Sequence, residues 1–198
     1  MTTLLLIRHG QIRANAKRRW HGATDSPLTG RGRRQADRLA NHLGRRFPAL
    51  GAIVSSPMRR CRDTASAVAT AFGHPVQIDD DLREFNVGAF EDLTVEELHG
   101  RHDFFRQMTD DGDYAPPGGE SVNGVAARMV PALQRLTLDE PGEIAVVSHG
   151  AALGIALAAL LDENPRAWRN YHVENCSITE LRLAPRLEVG AFNHTTHL

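Results

Sequence analysis

Two histidines stand in matching surroundings in this chain of 198 residues. Leu4-Leu5-Leu6-Ile7 runs into Arg8-His9-Gly10, and Ile144-Ala145-Val146-Val147 runs into Ser148-His149-Gly150. Each apolar run reads as a strand buried on both faces, stopped by a polar residue, a histidine and a glycine. Parallel sheets bind ligands at the carboxyl ends of their strands. If the two strands are neighbours, His9 and His149 meet although 140 positions separate them. Ser55-Ser56 closes a further apolar run, with Arg59 and Arg60 on the helix behind it. Arginines converging with histidines suit a phosphoryl group, whose oxygens match a guanidinium fork. Gly150 opens a helix, whose N-terminus favours an anion. Paired histidines also suit a metal, but Arg8 would repel a cation and no HxH or HExxH pattern is present.

A phosphate monoester hydrolyses very slowly in water. Catalysis needs a nucleophile, charge stabilisation and a proton for the leaving alcohol. His9 can be the nucleophile if it is neutral, and neighbouring positive charge helps to keep it so. Arg8, Arg60 and His149 can hold the phosphoryl oxygens. The carboxylic acid comes from Glu84, Glu91, Glu96, Glu97 or Glu120. Glu97 is committed to a capping box with Thr94. Spacing does not choose among the others.

Strands and helices alternate along the chain. A strand at 3–8 precedes a loop rich in turn residues, then a helix with Ala36, Leu39, Ala40, Leu43 and Phe47 at helical spacing. Gly51 to Ser55 is a second strand, and Ser56-Pro57 reads as N-cap and first residue of the next helix. Val76 to Ile78 is a third strand, and a helix near 94–101 follows. Residues 103–119, with two prolines and three glycines, read as a long mobile excursion. A helix from about Ser121 turns Val122, Val125, Met129, Leu133 and Leu136 inward, and Pro131 should kink it. Strand 143–148, buried helix 151–161 and strands near 176–183 and 187–193 complete the order. The pattern predicts an α/β three-layer sandwich, with a mostly parallel central sheet and helices on both faces. It is one domain over 1–198.

Composition narrows the function. A hydrophobic fraction of 41% and net charge of −1 describe an ordinary globular protein. No apolar run approaches the roughly 18 residues of a membrane span, and the N-terminus lacks a secretion signal, so a cytoplasmic setting is expected. Cys61 and Cys176 have neither metal-like nor disulfide-like spacing. Nucleic acid is not expected as a partner, because charge is near zero and no stacking aromatics are interleaved with the arginines. Residues 1–24 nevertheless carry Arg8, Arg13, Lys17, Arg18 and Arg19 and no carboxylate, and Arg59, Arg60 and Arg62 form a second basic cluster. Arg13 to Arg19 alone read as a solvated face. Around the strand ends, both clusters would draw in a small anion.

These motifs resemble the histidine phosphatase superfamily, the group that includes cofactor-dependent phosphoglycerate mutases. Arg8-His9-Gly10 is similar to the signature whose histidine is phosphorylated. Asn15, and Gly22 before Asp25-Ser26-Pro27-Leu28-Thr29, resemble the phosphate-side loop. Ser55-Ser56-Pro57-Met58-Arg59-Arg60-Cys61-Arg62-Asp63-Thr64-Ala65 resembles the family's Ser-Ser-Pro segment, aligning its phosphate-binding arginine with Arg60 rather than Arg59. Leu82-Arg83-Glu84, followed by Gly88 and Glu91, resembles the proton-donor segment and selects Glu84. Ser148-His149-Gly150 resembles the second-histidine motif. The resemblance spans nearly the whole chain, with four motifs in family order. It implies a phosphoglycerate mutase-like fold. It implies His9, Glu84, His149, Arg8 and Arg60 as catalytic residues, and Asn15, Gly22 and Gly150 as substrate-binding residues. No metal and no cofactor are expected. Ile12, Ala14, Asp63, Phe90 and Asp92 depart from the common pattern at positions outside the catalytic set. Val87, where phosphoserine-specific relatives place a histidine, counts against that substrate. The ending Phe192 to Leu198 is similar to a tail of some phosphatase branches, whose His194 and His197 either reach the substrate mouth or lie on a plain surface tail.

The implied activity is metal-independent hydrolysis of small phosphate monoesters through a phosphohistidine. The alternatives are a cofactor-dependent phosphoglycerate mutase-type phosphotransferase and, from a different class, a catalytically silent phospho-ligand binding module. Superfamily mutases carry a longer basic, proline-rich insertion after the proton donor. This chain has only acidic Asp110-Asp111-Gly112-Asp113 and Pro116-Pro117, and an acidic lid clamps a bisphosphate poorly. The expected partner is a small-molecule phosphate monoester, with no nucleic acid and no membrane. A homodimer is compatible with the sequence.

Overall fold

A computed structural model of the protein describes residues 2–100, 102–138 and 142–198. The strands are β1 (Thr2–Arg8), β2 (Leu50–Ser55), β3 (Val76–Ile78), β4 (Gly142–Ser148), β5 (Ile178–Arg182) and β6 (Glu188–Val189). The helices are α1 (Arg13–Ala16), α2 (Gly30–Arg46), α3 (Arg59–Phe72), α4 (Val95–Gly100), α5 (Phe104–Asp110), α6 (Val122–Arg135) and α7 (Gly150–Leu161). One six-stranded sheet runs in the order β3-β2-β4-β1-β5-β6. β3, β2, β4 and β1 are parallel, whereas β5 and β6 extend the sheet antiparallel.

Alternate residues of the apolar runs build two cores. Leu4, Leu6, Val54, Ile144 and Val146 join α6 and α7 on one face of the sheet. Leu5, Ile7, Ile53, Ala145 and Val147 join α2 and α3 on the other. A slip of one residue would exchange every side chain between the two cores, so the register is tightly specified. That register sets Arg8 opposite Ser148. α7 is buried on nearly every side from Ala151 to Ala158, as an apolar helix must be. A Cβ on its Gly154 would lie 3.0 Å from the Trp168 carbonyl oxygen. The missing side chain lets the 3₁₀ turn Pro165–Tyr171 close onto the helix.

Several expectations need correction. α3 starts at Arg59 with Met58 as N-cap, not at Ser56-Pro57. Ser56 Oγ accepts the Met58 N–H at 3.4 Å and also lies 2.8 Å from His149 Nε2, while Asp25 accepts the Arg59 N–H from a distant loop. Residues 104–110 are a helix, α5, with Phe104, Phe105 and Met108 buried among the core residues. That anchoring replaces the expected structureless excursion. Asp110 pairs with Arg106, and Asp113 accepts from Asn123, so the acidic run is used locally rather than as a lid over the strand ends. Leu136 is only half-buried. α1 and the Pro165–Tyr171 turn were not foreseen. Asp92 has φ 61°, a left-handed conformation that explains why glycine suits the position.

Candidate active site

β1 and β4 deliver His9 and His149 to one point, as their shared register requires. Their ring centroids are 5.2 Å apart with planes at 66°. The His9 N–H donates to the Ser148 carbonyl at 3.0 Å, extending the ladder by one residue. His9 Nδ1 lies 2.8 Å from the Gly10 carbonyl oxygen. An oxygen without a proton can only accept, so Nδ1 carries the hydrogen and Nε2 keeps its lone pair. The His9 pKa lies well below 6.5, first because burial disfavours the imidazolium and then because Arg60 and Arg8 repel it. His9 is therefore a neutral base at neutral pH. Burial outweighs the charge effect expected from sequence.

His149 is fully buried and held at both ring nitrogens. Nδ1 accepts from Arg60 Nε at 3.1 Å, so Nε2 carries the proton, donated to Ser56 Oγ at 2.8 Å. Burial, then Arg60 and His9, hold its pKa well below 6.5. Arg60 is also fully buried. Its remaining donors reach the carbonyls of Thr24 (2.8 Å), His21 (3.1 Å) and Gly22 (2.9 Å), and Asp25 Oδ1 (3.4 Å). Arg60 thus ties the 21–25 loop to His149.

Arg8 donates from Nη1 to the Val173 carbonyl at 2.7 Å. Its Nε is buried without a hydrogen-bond partner. An unsatisfied buried donor costs about 1–3 kcal/mol, which an incoming anion oxygen would relieve. Asn15 Oδ1 accepts from the Ile12 N–H and from Asn175 Nδ2, and Asn175 also donates to the His9 carbonyl.

Of the five carboxylates, only Glu84 lines the cavity beside His9. Its oxygens accept N–H groups of Ala152 (2.9 Å) and Ala151 (3.3 Å) at the start of α7, which aims it along the helix N-terminus. Glu91 is occupied by the N–H groups of Gly22, Ala23 and Thr24. Glu96 pairs with Arg18, and Glu97 closes the capping box on Thr94. Burial works against the charge of Glu120, but Arg128 and the Asn86 N–H hold its pKa below the usual range.

The cavity has a volume of about 570 Å³, within the range of small-molecule sites. Arg8, His9, Asn15, Glu84 and Gly150 line it, while His149 and Arg60 lie outside its lining. Gly22 does not line it either. Its N–H is taken by Glu91, its carbonyl by Arg60, and a Cβ there would sit 2.1 Å from the Phe85 oxygen. Gly22, expected to bind substrate, is thus packed and hydrogen-bonded outside the cavity lining in this structure. Arg18 and Arg19 do line the cavity, while Arg59 and Arg62 are exposed elsewhere. Trp20, Trp168, Arg169 and Tyr171 complete a wall that sequence reasoning missed. A Trp-Arg pair after Pro165 was the available signal, but nothing local placed it near His9. His194 and His197 do not reach this cavity; they lie against His42 of α2. A cation would face Arg8 and Arg60 here, and both His149 nitrogens are taken.

The profile of the histidine phosphatase superfamily (branch 1) matches residues 4–190. The probable phosphoglycerate mutase GpmB of Erwinia tasmaniensis is 36% identical over 186 residues, 91% of this chain and 85% of that protein. The structure of a mycobacterial glucosyl-3-phosphoglycerate phosphatase complexed with VO3 superposes with a TM-score of 0.86 at 32% identity, covering 98% of this chain and 99% of that one. Phosphoserine phosphatase from Entamoeba histolytica, in complex with 3-phosphoglyceric acid, gives a TM-score of 0.88 at 29% identity over 100% and 99% of the two chains.

Proposed function

This chain belongs to the histidine phosphatase superfamily, and from that premise we propose that it is a metal-independent phosphomonoesterase acting through a phosphohistidine on small phosphorylated metabolites. One observation carries the reading: a buried, neutral His9 with Nδ1–H committed to Gly10 stands beside Arg8, whose buried Nε lacks a partner. His9 Nε2 attacks phosphorus, forming the N–P bond as the ester P–O bond breaks. The departing alkoxide takes a proton from Glu84. The ring becomes cationic on phosphorylation, and its Nδ1–H bond to the Gly10 carbonyl strengthens with that charge. Water then gives its proton to Glu84 and attacks phosphorus. The N–P bond breaks, inorganic phosphate leaves and His9 is neutral again. Arg8 and the α7 N-terminus oppose the equatorial charge. Arg60 and His149 join them once a phosphoryl oxygen competes for donors now given to the 21–25 loop and Ser56.

Arg169, together with Arg18 and Arg19 whose charges are partly matched by Glu96 and Asp92, supports a monoester with a second anionic group. The compounds named for the two structural neighbours, glucosyl-3-phosphoglycerate and phosphoserine, both carry a carboxylate, which supports that class. Trp20, Trp168 and Tyr171 offer an apolar face to its carbon skeleton. The likeness to GpmB keeps phosphotransfer as the second reading, with a glycerate hydroxyl replacing water as acceptor. Among the described residues no helix is long and apolar enough to cross a membrane.

The test is an acid quench of the enzyme with a labelled phosphate monoester, in EDTA. An acid-labile, base-stable phosphoryl group should appear on wild type, with phosphate as product, and be absent from His9→Ala. Near-normal turnover by His9→Ala, or loss of activity in EDTA restored by Mg²⁺, overturns the mechanism. Label appearing in a bisphosphate instead of phosphate establishes the transferase.

A further inference from the structure

We propose that His42, His194 and His197 form a binding site for a borderline transition-metal ion, Zn²⁺ or a close analogue, that clasps the C-terminal segment onto α2. One ring nitrogen from each of the three lies within 4.8 Å of the others, and no other group of three or more potential ligands is found among the described residues. Ring centroids are 4.8 Å apart for His42 and His197, 5.4 Å for His42 and His194, and 5.9 Å for His194 and His197.

The hydrogen bonding of His197 points to a ligand. Nε2 donates to the Cys176 carbonyl at 2.9 Å, which fixes the tautomer and leaves the lone pair on Nδ1. That Nδ1 is buried and has no partner. One nitrogen on a backbone carbonyl and the other lone pair unclaimed is the arrangement of a metal-bound histidine. His194 Nε2 and Thr196 Oγ1 are 2.9 Å apart, and with the imidazole as donor in this pair the Nδ1 lone pair is the one that faces a metal. Three imidazoles with no carboxylate suit zinc, nickel, cobalt or copper rather than the oxygen-seeking Mg²⁺ and Ca²⁺. A tetrahedral ion with Zn–N near 2.0–2.1 Å needs nitrogens about 3.3 Å apart and lone pairs that converge, whereas the three rings now lie within 25–35° of parallel, so metal binding requires the imidazoles to turn toward one point, with water in the fourth position.

Electrostatics is mixed. Burial and mutual repulsion lower the pKa of His42 and His197, which keeps them neutral and ligating. Arg45 and Arg46 near His42 oppose a cation. The clasp would be structural. His194 exchanges backbone hydrogen bonds with Ile178, and the Cys176 N–H donates to the Arg8 carbonyl, so the tail fastens the turn that leads into β5 and bonds the end of β1.

The experiment uses the full-length, untagged protein, freed of metal with EDTA and desalted. Titration with ZnCl₂ should show one equivalent bound. Tm should rise by about 5–10 °C at a hundredfold excess over Kd. Co²⁺ should give the visible bands of a tetrahedral ion. His42→Gln and His194→Gln should each lose the Tm rise and the cobalt bands while keeping phosphatase activity in EDTA at the wild-type level. No Tm rise in wild type, an equal rise in both variants, or zinc-dependent dimerisation overturns the clasp.

Discussion

Arg60 and Arg59 are adjacent on α3 yet should differ widely in what their loss costs. About 100° separates neighbouring helical residues, so only one of them can face the strand ends. Arg60 is fully buried and donates to five acceptors. The acceptors on His21, Thr24 and Asp25 belong to partly or fully exposed residues and can regain water after Arg60→Ala. Those on His149 and Gly22 belong to buried residues and cannot do so fully. Hydrogen bonds to a charged group are worth about 1.5–3 kcal/mol each, so these two predict a loss of about 3–6 kcal/mol from a typical total of about 5–15. Arg60→Lys keeps the charge but not the planar fork, and should fall between. Arg59 is exposed and meets Asp63 at 3.7 Å one turn away, an arrangement worth about 0.3–0.5 kcal/mol. Urea unfolding gives stabilities. Single-turnover phosphorylation of His9, corrected for the folded fraction, should show a further loss on the order of 10²–10³ for Arg60→Ala and less than a few-fold for Arg59→Ala. A stability loss below about 1 kcal/mol for Arg60→Ala, or the reverse ranking, would refute the placement of this helix face.

Stability should fall on mild acidification. His9 and His149 stay neutral in the fold well below 6.5, whereas in the unfolded chain both take protons from about 6.5 downward. The unfolded state then binds more protons, so their contribution, complete above about 6.5, is lost toward the folded pKa at up to about 1.4 kcal/mol per pH unit for each histidine. A urea midpoint equal at pH 7.5 and 5.5 would contradict this. Glu84→Gln should slow phosphorylation of His9 far more with an alkyl phosphate than with a nitrophenyl phosphate, whose leaving group needs no proton. Glutamine retains an oxygen for the Ala152 N–H, so the fold should hold, and an equal single-turnover loss with both substrates removes Glu84 from the acid role.

The centre of the sheet was legible because β1, β2 and β4 are written in hydrophobic runs, whereas the strand expected at 187–193 shrinks to Glu188–Val189. Leu4 to Ile7 and Ile144 to Val147 are buried on both faces, and so are short enough and apolar enough to admit one reading. The Ser56-Pro57 start of α3 was misread for a physical reason. Serine before proline is a local capping pattern, and Ser56 Oγ does accept the Met58 N–H, but the regular helix starts only at Arg59, whose N–H goes to Asp25 of a distant loop. Within segment 103–119, residues 104–110 were misread in the opposite sense. The glycines and prolines of 112–119 dominate the composition, while Phe104 finds its core through contact with Trp20 and Phe85, and Met108 is buried in the same core.

The same division runs through the site. Residues at strand ends and helix starts, His9, His149, Arg8 and Gly150, were placed near one another by topology, and the family resemblance chose Arg60 over Arg59. Residues whose place depends on packing between distant segments could not be assigned in advance. Trp168 and Tyr171 reach the cavity only because Gly154 lets the Pro165–Tyr171 turn close on α7. Hydrogen-bond bookkeeping lies further still from sequence. It engages the backbone of Gly22, and it commits every donor of Arg60 to protein acceptors. In the proposed mechanism a phosphoryl oxygen would reach Arg60 by displacing one of these acceptors, His149 Nδ1 or an oxygen of His21, Gly22, Thr24 or Asp25, and the latter route would tie substrate capture to movement of the loop. Glu91, whose carboxylate accepts three consecutive N–H groups of the loop, holds it in this arrangement. A carboxylate that sequence offered as a candidate acid is thus occupied in fixing the loop whose oxygens Arg60 binds, and the proposed mechanism would have it resist the loop's release.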